Sequence, residues 1–286
     1  MSPGSCGKIV AGYAVEGIVG RGGWAVVYRA QDPDGRAVAL KVLDTAHREP
    51  QHLARLQREF DFARRLIHPN IVTVYAAGPA WLSMELVDGG TMSTLRTPSD
   101  GLAALRQIAG ALDHVHRCGI VHCDVKPANV LVDDPFSRAV LSDFGVAHSV
   151  AQDVAARLAN DGGRLTLDPA RRITQQGFEP RAQVQASLPY SAPELLSGRA
   201  PSAATDQYAL ACTTVEVLTG SPPFTADTAL GLIDQQLNSP PPRISRQVAG
   251  ISHAVDSILA KAMAKDPDRR YESCTEFMGL VDKALR

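Results

Sequence analysis

The sequence predicts an α+β fold of two lobes, in which a small β-rich lobe precedes a larger, mainly helical lobe. Two observations carry this prediction. Short runs of β-forming residues dominate the chain up to Asp88-Gly89-Gly90, whereas helical periodicity dominates after it. The change of character at this tripeptide places a hinge near residues 85–88.

The small lobe is predicted to hold short strands and one helix. Strands at 25–30 and 37–43 flank a turn at 32–35, a helix follows at 51–66, and strands at 71–76 and 81–87 complete the lobe. Adjacent β-branched and aromatic residues at Val26, Val27 and Tyr28 favour a strand. The helix is indicated by apolar residues at helical spacing, namely Leu53, Leu56, Phe60, Ala63 and Leu66.

The larger lobe is predicted to be mainly helical, with a β-rich segment at about 121–144. Its helices are expected at 101–118, 203–219 and 252–265. Prolines at 222–223 and 240–242 mark loops, because proline cannot continue a helix.

Composition restricts the classes of function. The chain has 286 residues, of which 45% are hydrophobic and 21% are charged, as in a globular protein with a sizeable core. Its net charge of -1 indicates no bulk attraction to nucleic acid or to a membrane surface. Any phosphate group must therefore be bound by a local site.

The cysteines and the apolar runs predict a cytoplasmic location. The 5 cysteines contain no CxxC pair, which indicates reduced thiols. The first residues do not resemble a signal peptide, and no run reaches the roughly 18 apolar residues that span a bilayer. We expect a cytoplasmic protein without membrane contact of its own, or the cytosolic domain of a larger membrane-anchored protein.

A glycine-rich segment lies early in the chain, where Gly20, Gly22 and Ala25 fit a GxGxxA spacing. A dinucleotide-binding loop would open into a helix, but the residues after Ala25 favour a strand. A glycine turn between two strands suits a flap whose backbone N–H groups lie over phosphates. An ordinary hairpin is the alternative interpretation.

Lys41 lies inside an apolar strand, where an ammonium group is costly unless it is paired. Glu59, on the helix predicted at 51–66, is the partner that we expect. Such a pair would hold the lysine against the α- and β-phosphates of a nucleotide. A surface lysine that extends its ammonium group to water is the alternative.

Four motifs follow in order along the chain: His122-Cys123-Asp124-Val125-Lys126-Pro127-Ala128-Asn129, Ser142-Asp143-Phe144-Gly145, Ala192-Pro193-Glu194 and Asp206-Gln207-Tyr208-Ala209-Leu210. They resemble the catalytic loop, the metal-binding DFG element, the APE element and the start of the next buried helix of protein kinases. From about Tyr13 onward, the chain most resembles the bacterial Hanks-type serine/threonine kinases. The resemblance implies a bilobal protein kinase-like fold and one catalytic domain over 8–286, with lobes at about 8–86 and 87–286 and an extended activation segment at 143–194.

The resemblance assigns roles to four polar residues. Asp124 would accept a hydrogen bond from a substrate hydroxyl and take its proton, and Lys126 would neutralise the γ-phosphoryl group. Asn129 and Asp143 would supply oxygen ligands to Mg²⁺, with Mn²⁺ as an alternative ion. Phosphoryl transfer depends on positioning and charge neutralisation, which these residues would supply.

ATP is expected between the two lobes. Its phosphates would lie under Gly20 and Gly22 and beside Lys41. Its adenine would contact Val27 and Ala39 from above, Leu131 from below, and the backbone of Glu85 and Val87 at its polar edge, with Met84 as an apolar wall.

The expected substrates are proteins that carry serine or threonine. Lys126 in the pattern Asp-x-Lys-Pro-x-Asn resembles the Ser/Thr branch, and Ser187 stands where that branch usually has a threonine bonded to the catalytic aspartate and lysine. The resemblance also implies three structural contacts: Asp206 with the catalytic-loop backbone, Glu194 with Arg270 (or else Arg269), and Phe144 with His122.

Three features depart from the family pattern. Ala25 replaces the third glycine of the flap, and Cys123 replaces the arginine that normally binds an activation-loop phosphate. We therefore expect activity that does not depend on a phosphate docked at Cys123. The segment before Ala192 is also long; it holds a predicted helix at 154–159 and two candidate autophosphorylation sites, Thr166 and Thr174.

Two other functions compete with that of a protein kinase. A pseudokinase scaffold would fit Ala25 and Cys123, but it has no need of a base, a charge clamp and two metal ligands together. A small-molecule phosphotransferase of similar fold is disfavoured by Ser187 and by Ala192-Pro193-Glu194, which resemble a peptide-docking segment.

Overall fold

The computed structural model describes residues 9–149 and 187–286, which form the two-lobe α+β architecture that the sequence predicts. The strands are β1 (Ile9–Val10), β2 (Tyr13–Arg21), β3 (Ala25–Gln31), β4 (Ala37–Leu43), β5 (Val74–Gly78), β6 (Trp81–Glu85), β7 (Ile120–Val121), β8 (Val130–Val132), β9 (Ala139–Leu141) and β10 (His148–Ser149). The helices are α1 (Pro50–Ala63), α2 (Pro98–Arg117), α3 (Pro193–Leu196), α4 (Ala203–Thr219), α5 (Ala229–Asn238), α6 (His253–Ala262) and α7 (Cys274–Ala284).

Some predicted features lie outside the described residues, namely the helix at 154–159 and the candidate sites Thr166 and Thr174. Of the helices in the described ranges, none combines the length and the apolar character needed to cross a bilayer.

Six antiparallel strands form the sheet of the small lobe, in the order β1-β2-β3-β4-β6-β5. The β3–β4 hairpin closes with the predicted turn, where Gly35 has a φ of 82° and donates its N–H to the Asp32 carbonyl at 3.0 Å. Glycine reaches this φ without the steric cost that a Cβ brings. Helix α1 packs on the sheet, with Leu56 in one buried cluster with Leu43 and Leu82.

Two predicted helices are shorter than expected at their carboxyl ends. Helix α1 ends at Ala63 rather than at 66, because the N–H groups of Arg65 and Leu66 bond to carbonyls three residues back and tighten the chain. Helix α6 ends at Ala262 rather than at 265, where Ala264 makes the same kind of bond shortly before Pro267.

Strand β5 begins at Val74 rather than at 71, because the residues before it pair with the large lobe. Ile71 forms an isolated bridge with Leu141, and Val72 donates its N–H to the Leu141 carbonyl at 2.9 Å. Leu141 in turn donates to the Asn70 carbonyl at 2.9 Å. These backbone bonds connect β9 to the small lobe and hold the loop at 142–147, which follows β9 directly, near the lobe boundary.

The core of the large lobe forms around α2 and α4. Helix α4 is buried over most of its length. Helix α2 contributes Leu105, Ile108 and Leu112 at helical spacing, all fully buried. This packing supports β7, which leads directly into the segment that begins at His122.

A buried ion pair ties α3 to the segment before α7. The Arg270 guanidinium donates to the two carboxylate oxygens of Glu194 at 2.7 and 2.8 Å, as predicted. The Thr205 hydroxyl donates to the same carboxylate at 2.9 Å. Burial alone would raise the pKa of Glu194, but the hydrogen bonds and charge of Arg270 hold it below its usual value. The pair therefore fixes α3 against the segment before α7, and the Thr205 hydroxyl connects the same carboxylate to α4.

Arg270→Met leaves the Glu194 carboxylate buried without its counter-ion, and we expect the free energy of unfolding to fall by about 3–5 kcal/mol. Denaturant unfolding followed by circular dichroism measures this loss. Arg269→Met alters the exposed neighbour and should stay within about 0.5 kcal/mol of the unaltered protein. Equal losses for the two variants would contradict the role given to the pair.

Candidate active site

The predicted pair of Lys41 and Glu59 forms between β4 and α1. Nζ of Lys41 lies 2.9 and 2.7 Å from the two carboxylate oxygens of Glu59, and both side chains are buried. The same Nζ lies 3.5 Å from Oδ1 of Asp143. One ammonium group thus connects the sheet, helix α1 and the segment that follows β9.

Mutual charge sets the protonation of this cluster. Burial alone would raise the pKa of Asp143, but the positive charges of Lys41 and Arg55 hold it well below its usual value. Burial alone would lower the pKa of Lys41, but the carboxylates of Asp143 and Glu59 hold it above its usual value. At neutral pH the cluster therefore presents an ammonium group beside the Asp143 carboxylate.

Asp143 has a left-handed backbone conformation, with a φ of 63° and a ψ of 69°. Residues other than glycine adopt this conformation at an energetic cost, and such residues cluster at functional sites. Its carboxylate accepts the N–H of Gly145 at 3.4 Å. Phe144 is fully buried and contacts His122 as predicted, edge to face, with ring centroids 4.8 Å apart. The aromatic contact thus holds the segment against the catalytic loop.

The predicted catalytic loop at 122–129 is anchored by the buried carboxylate of Asp206, as predicted. This carboxylate accepts the N–H groups of His122 and Cys123, both at 2.8 Å, and lies 2.7 Å from Nε2 of His116. Cys123 has a left-handed φ of 66°, which is costly for a residue with a Cβ. Asp206 therefore determines the path of the chain immediately before Asp124.

Asp124 lies at the centre of a compact set of polar groups. Nζ of Lys126 donates to its carboxylate oxygens at 3.0 and 2.9 Å and to Oγ of Ser187 at 2.6 Å. The amide of Asn129 donates to Oδ2 of Asp124 at 2.8 Å and to its carbonyl at 2.7 Å. A carboxylate, an ammonium group and a serine hydroxyl thus meet. In this arrangement the carboxylate could accept a proton from a hydroxyl, and the ammonium could neutralise a phosphoryl group beside it.

Asn129 and Asp143 fit a divalent cation by the chemistry of their donor atoms. The NH₂ group of Asn129 is committed to Asp124, so its amide oxygen is the atom left to bind a cation. Ser142 donates its N–H and its hydroxyl to the Asn129 carbonyl at 2.9 and 3.0 Å, which places Asp143 next to Asn129 along this contact. Oxygen donors of this kind suit Mg²⁺ and Mn²⁺.

The residues predicted to enclose an adenine lie in one apolar cluster, which contains Val27, Ala39, Met84, Val87 and Leu131. Three of them belong to the sheet and Leu131 belongs to β8, so the cluster spans both lobes. The backbone N–H of Glu85 donates to the Thr73 carbonyl at 2.8 Å, which leaves only the carbonyl of Glu85 to meet a base. The carboxylate of Glu85 pairs with Arg138.

Gly20 and Gly22 leave room for an external group at the flap. A Cβ added at Gly20 would meet nothing nearer than 4.0 Å, and one added at Gly22 would lie 3.5 Å from the Ala25 carbonyl oxygen. Neither glycine has a positive φ. Since neither backbone conformation nor internal packing demands glycine there, the bare backbone fits close approach of a ligand such as phosphate.

Three further residues make contacts at the site that sequence position does not reveal. The buried amide of Gln236 donates to the carbonyls of Leu188 and Pro189 at 3.0 and 2.7 Å, directly after Ser187. No local pattern marks a glutamine on an amphipathic helix for this contact. Trp24 and Arg55 also lie at the site. For Trp24, the sequence offers a weak signal, namely an aromatic residue beside glycines.

Comparisons with known proteins agree with this geometry. The profile of the protein kinase domain matches residues 13–279. Serine/threonine-protein kinase PknJ of Mycobacterium tuberculosis is 37% identical over 301 aligned positions, which cover 98% of this chain and 46% of PknJ. PknF of the same organism is 35% identical over 288 positions, which cover 95% of this chain and 56% of PknF. The chain spans about half the length of these curated relatives.

The fold has a solved counterpart in the crystal structure of the Mycobacterium tuberculosis PknI kinase domain, with a TM-score of 0.69 at 28% identity. The superposition covers 98% of this chain and 99% of the PknI chain. The predicted kinase-like fold is thereby confirmed. The chain belongs to the protein kinase domain family, among the Hanks-type serine/threonine protein kinases of bacteria.

Proposed function

We propose that this chain is an active kinase domain that transfers the γ-phosphoryl group of ATP to serine and threonine hydroxyls of proteins, in bacterial signalling. The observation that carries the proposal is the contact set of Asp124, where its carboxylate meets the ammonium of Lys126 beside the Ser187 hydroxyl. Phosphoryl transfer requires mainly positioning and charge neutralisation. The relatives named above are serine/threonine-protein kinases.

In this proposal ATP lies between the lobes, with its adenine in the apolar cluster and its phosphates beneath the flap. Lys41, oriented by Glu59, binds oxygens of the α- and β-phosphates. Asn129 and Asp143 would hold Mg²⁺, or Mn²⁺ in its place, and the bound ion would offset the negative charge of the phosphates.

Asp124 performs the proton transfer in the proposed reaction. Its carboxylate accepts a hydrogen bond from the substrate hydroxyl, orients the oxygen toward the γ-phosphorus and takes the proton as the new P–O bond forms. The bond to the β-phosphate oxygen breaks and ADP leaves, after which Asp124 loses its proton to water. Lys126 neutralises the transferred group, while the contact with Ser187 keeps its ammonium in place.

A nucleotide-binding scaffold without transfer is the alternative, and Ala25 is the flap residue that favours it. Ala25 is not among the described residues with positive φ, and its side chain lies in the buried cluster with Trp24 and Leu43. A methyl group that packs into the core leaves the phosphate side of the flap clear. Ala25 is therefore compatible with nucleotide binding and gives no reason to prefer the scaffold over the enzyme.

We further propose that activity does not depend on a phosphate docked at Cys123. A neutral thiol lacks the charged fork with which arginine binds phosphate. The contacts that hold Lys41 come from Glu59 and Asp143, and residue 123 takes no part in them. The position of α1 is thus maintained by groups other than residue 123.

The proposal extends to the whole catalytic domain at 8–286, with lobes that meet near 86–87 and an activation segment at 143–194. Its partners would be protein substrates, with Thr166 and Thr174 as candidate autophosphorylation sites. A net charge of -1 supports no nucleic-acid or membrane partner. We place the domain in the cytoplasm, either free or as part of a larger membrane-anchored protein.

Asp124→Asn removes the proposed base, and we expect transfer to fall by about 100-fold or more. The assay uses labelled ATP, Mg²⁺ and a generic protein substrate. Asp34→Asn, in an exposed turn of the small lobe, is the matched control and should transfer at the unaltered rate. Equal transfer by Asp124→Asn, or none by the unaltered protein, would overturn the proposal.

Phosphatase treatment should leave most of the transfer rate intact, because Cys123 provides no charge for a docked phosphate to engage. The initial rate is compared before and after treatment, with removal of phosphate checked by mass spectrometry. Cys123→Arg supplies the charge as a comparison. Loss of activity in the treated native protein, together with unchanged activity in Cys123→Arg, would rule out phosphate-independent activity.

A further inference from the structure

Arg55 places a second positive charge beside the proposed metal-binding carboxylate. It lies on α1, one helical turn before Glu59. Its Nη2 atom is 3.9 Å from Oδ1 of Asp143, the same oxygen that lies 3.5 Å from Nζ of Lys41. Two cations therefore flank one carboxylate oxygen, although the Lys41–Glu59 pair and the proposed chemistry require only the first.

Among the described residues, the guanidinium of Arg55 is held by charge and by an aromatic ring rather than by hydrogen bonds. Its Cζ lies 4.8 Å from the ring centroid of Trp24, within the range of a cation–π contact. Its Nε is buried and has no hydrogen-bond partner among the described residues. At 3.9 Å, Nη2 is too far from Asp143 for a hydrogen bond. Moving this group away from Asp143 would therefore break no hydrogen bond there.

Trp24 belongs to the flap, yet its ring is buried against α1. The ring stacks on His52 with centroids 6.1 Å apart, and Nζ of Lys41 lies 4.8 Å from its centroid. Only 4% of the residue is exposed. The indole thus contacts both cations that flank Asp143, and a shift of either cation changes its electrostatic surroundings.

The backbone beyond Asp143 also makes room for Arg55. A Cβ added at Gly145 would lie 2.9 Å from both Cγ and Nε of Arg55. A residue larger than glycine at position 145 would therefore clash with the side chain of Arg55. Close packing on Gly145 therefore positions Cγ and Nε of Arg55 in this structure.

We propose that Arg55 is the resident counter-cation of Asp143, and that a divalent cation bound with a nucleotide takes its place. The inference rests on the proposed nucleotide and metal site. A dication bound to the Asp143 carboxylate would lie close to the Arg55 guanidinium. Two positive charges so close together repel strongly where water is scarce. Arg55 would then leave Asp143 but keep its contact with the flap through Trp24.

Removing the charge of Arg55 should therefore strengthen metal binding. Arg55→Met keeps a long apolar side chain against the indole. We expect Mn²⁺ affinity in the presence of ADP to rise about three- to fivefold, because the charge removed is worth about as much as one partly exposed charge pair. Arg55→Gln is a second neutral variant, for the case that methionine disturbs folding. Arg55→Lys retains the charge and should bind Mn²⁺ like the unaltered protein.

Electron paramagnetic resonance measures free Mn²⁺ directly and needs no phosphoryl transfer. Arg58→Met is the matched control, since Arg58 lies on the same helix but is exposed. Trp24 emission is followed in parallel in a Trp81→Phe background, because the chain has only 2 tryptophans. We expect Mn²⁺ with ADP to change this emission, and the change to be smaller when Arg55 is Met.

Equal Mn²⁺ affinity in Arg55→Met and Arg58→Met would overturn the inference while leaving the proposed function intact. Weaker binding in Arg55→Met would also overturn it and would assign Arg55 to the phosphates instead. Failure of the unaltered protein to bind Mn²⁺ with ADP would contradict both the inference and the proposed metal site. The transfer assay with Asp124→Asn tests the proposed function separately.

Discussion

The ion pair between Lys41 and Glu59 is the constraint on which the rest of the site depends. Both charges are desolvated by burial, so breaking the pair would leave an uncompensated charge in the interior. Because Lys41 belongs to β4 and Glu59 to α1, the pair sets the distance between the sheet and the helix. Asp143 approaches the same ammonium, so the proposed metal-binding segment is positioned by the same contact. Arg55, carried on α1, is brought to Asp143 as a consequence.

The large lobe relies on a different buried carboxylate. Asp206 accepts two backbone N–H groups of the catalytic loop, and these bonds hold Cys123 at a positive φ. Backbone strain of this kind persists only where surrounding contacts over-determine it. The next residue is Asp124, whose direction follows from that turn. The proposed base is thus oriented from the large lobe, whereas the proposed metal ligand Asp143 is held from both lobes, by Lys41 in the small lobe and by the Phe144–His122 contact in the large one.

Much of this arrangement is predictable from sequence, because it depends on local residue patterns or on the chemical need of one group for a partner. A lysine in an apolar strand needs a carboxylate, and the Lys41–Glu59 pair forms as predicted. Helix α4 also has the predicted bounds, Ala203–Thr219. Element ends are less predictable: α1 stops at Ala63 because of its capping bonds, which the apolar spacing does not encode. The contact of Arg55 with Asp143 depends on how α1 packs, so sequence position alone does not reveal it.

The central claim is that Asp124 directs a phosphoryl group to serine and threonine hydroxyls. Mass-spectrometric mapping of phosphorylated residues after incubation with Mg²⁺ and ATP tests it most directly, because the acceptor atom is identified along with the activity. The account predicts phosphate on serine and threonine of the chain or of an added protein, and none when Asp124 is replaced by Asn. Phosphate confined to tyrosine, or present equally in the Asp124→Asn variant, would contradict it.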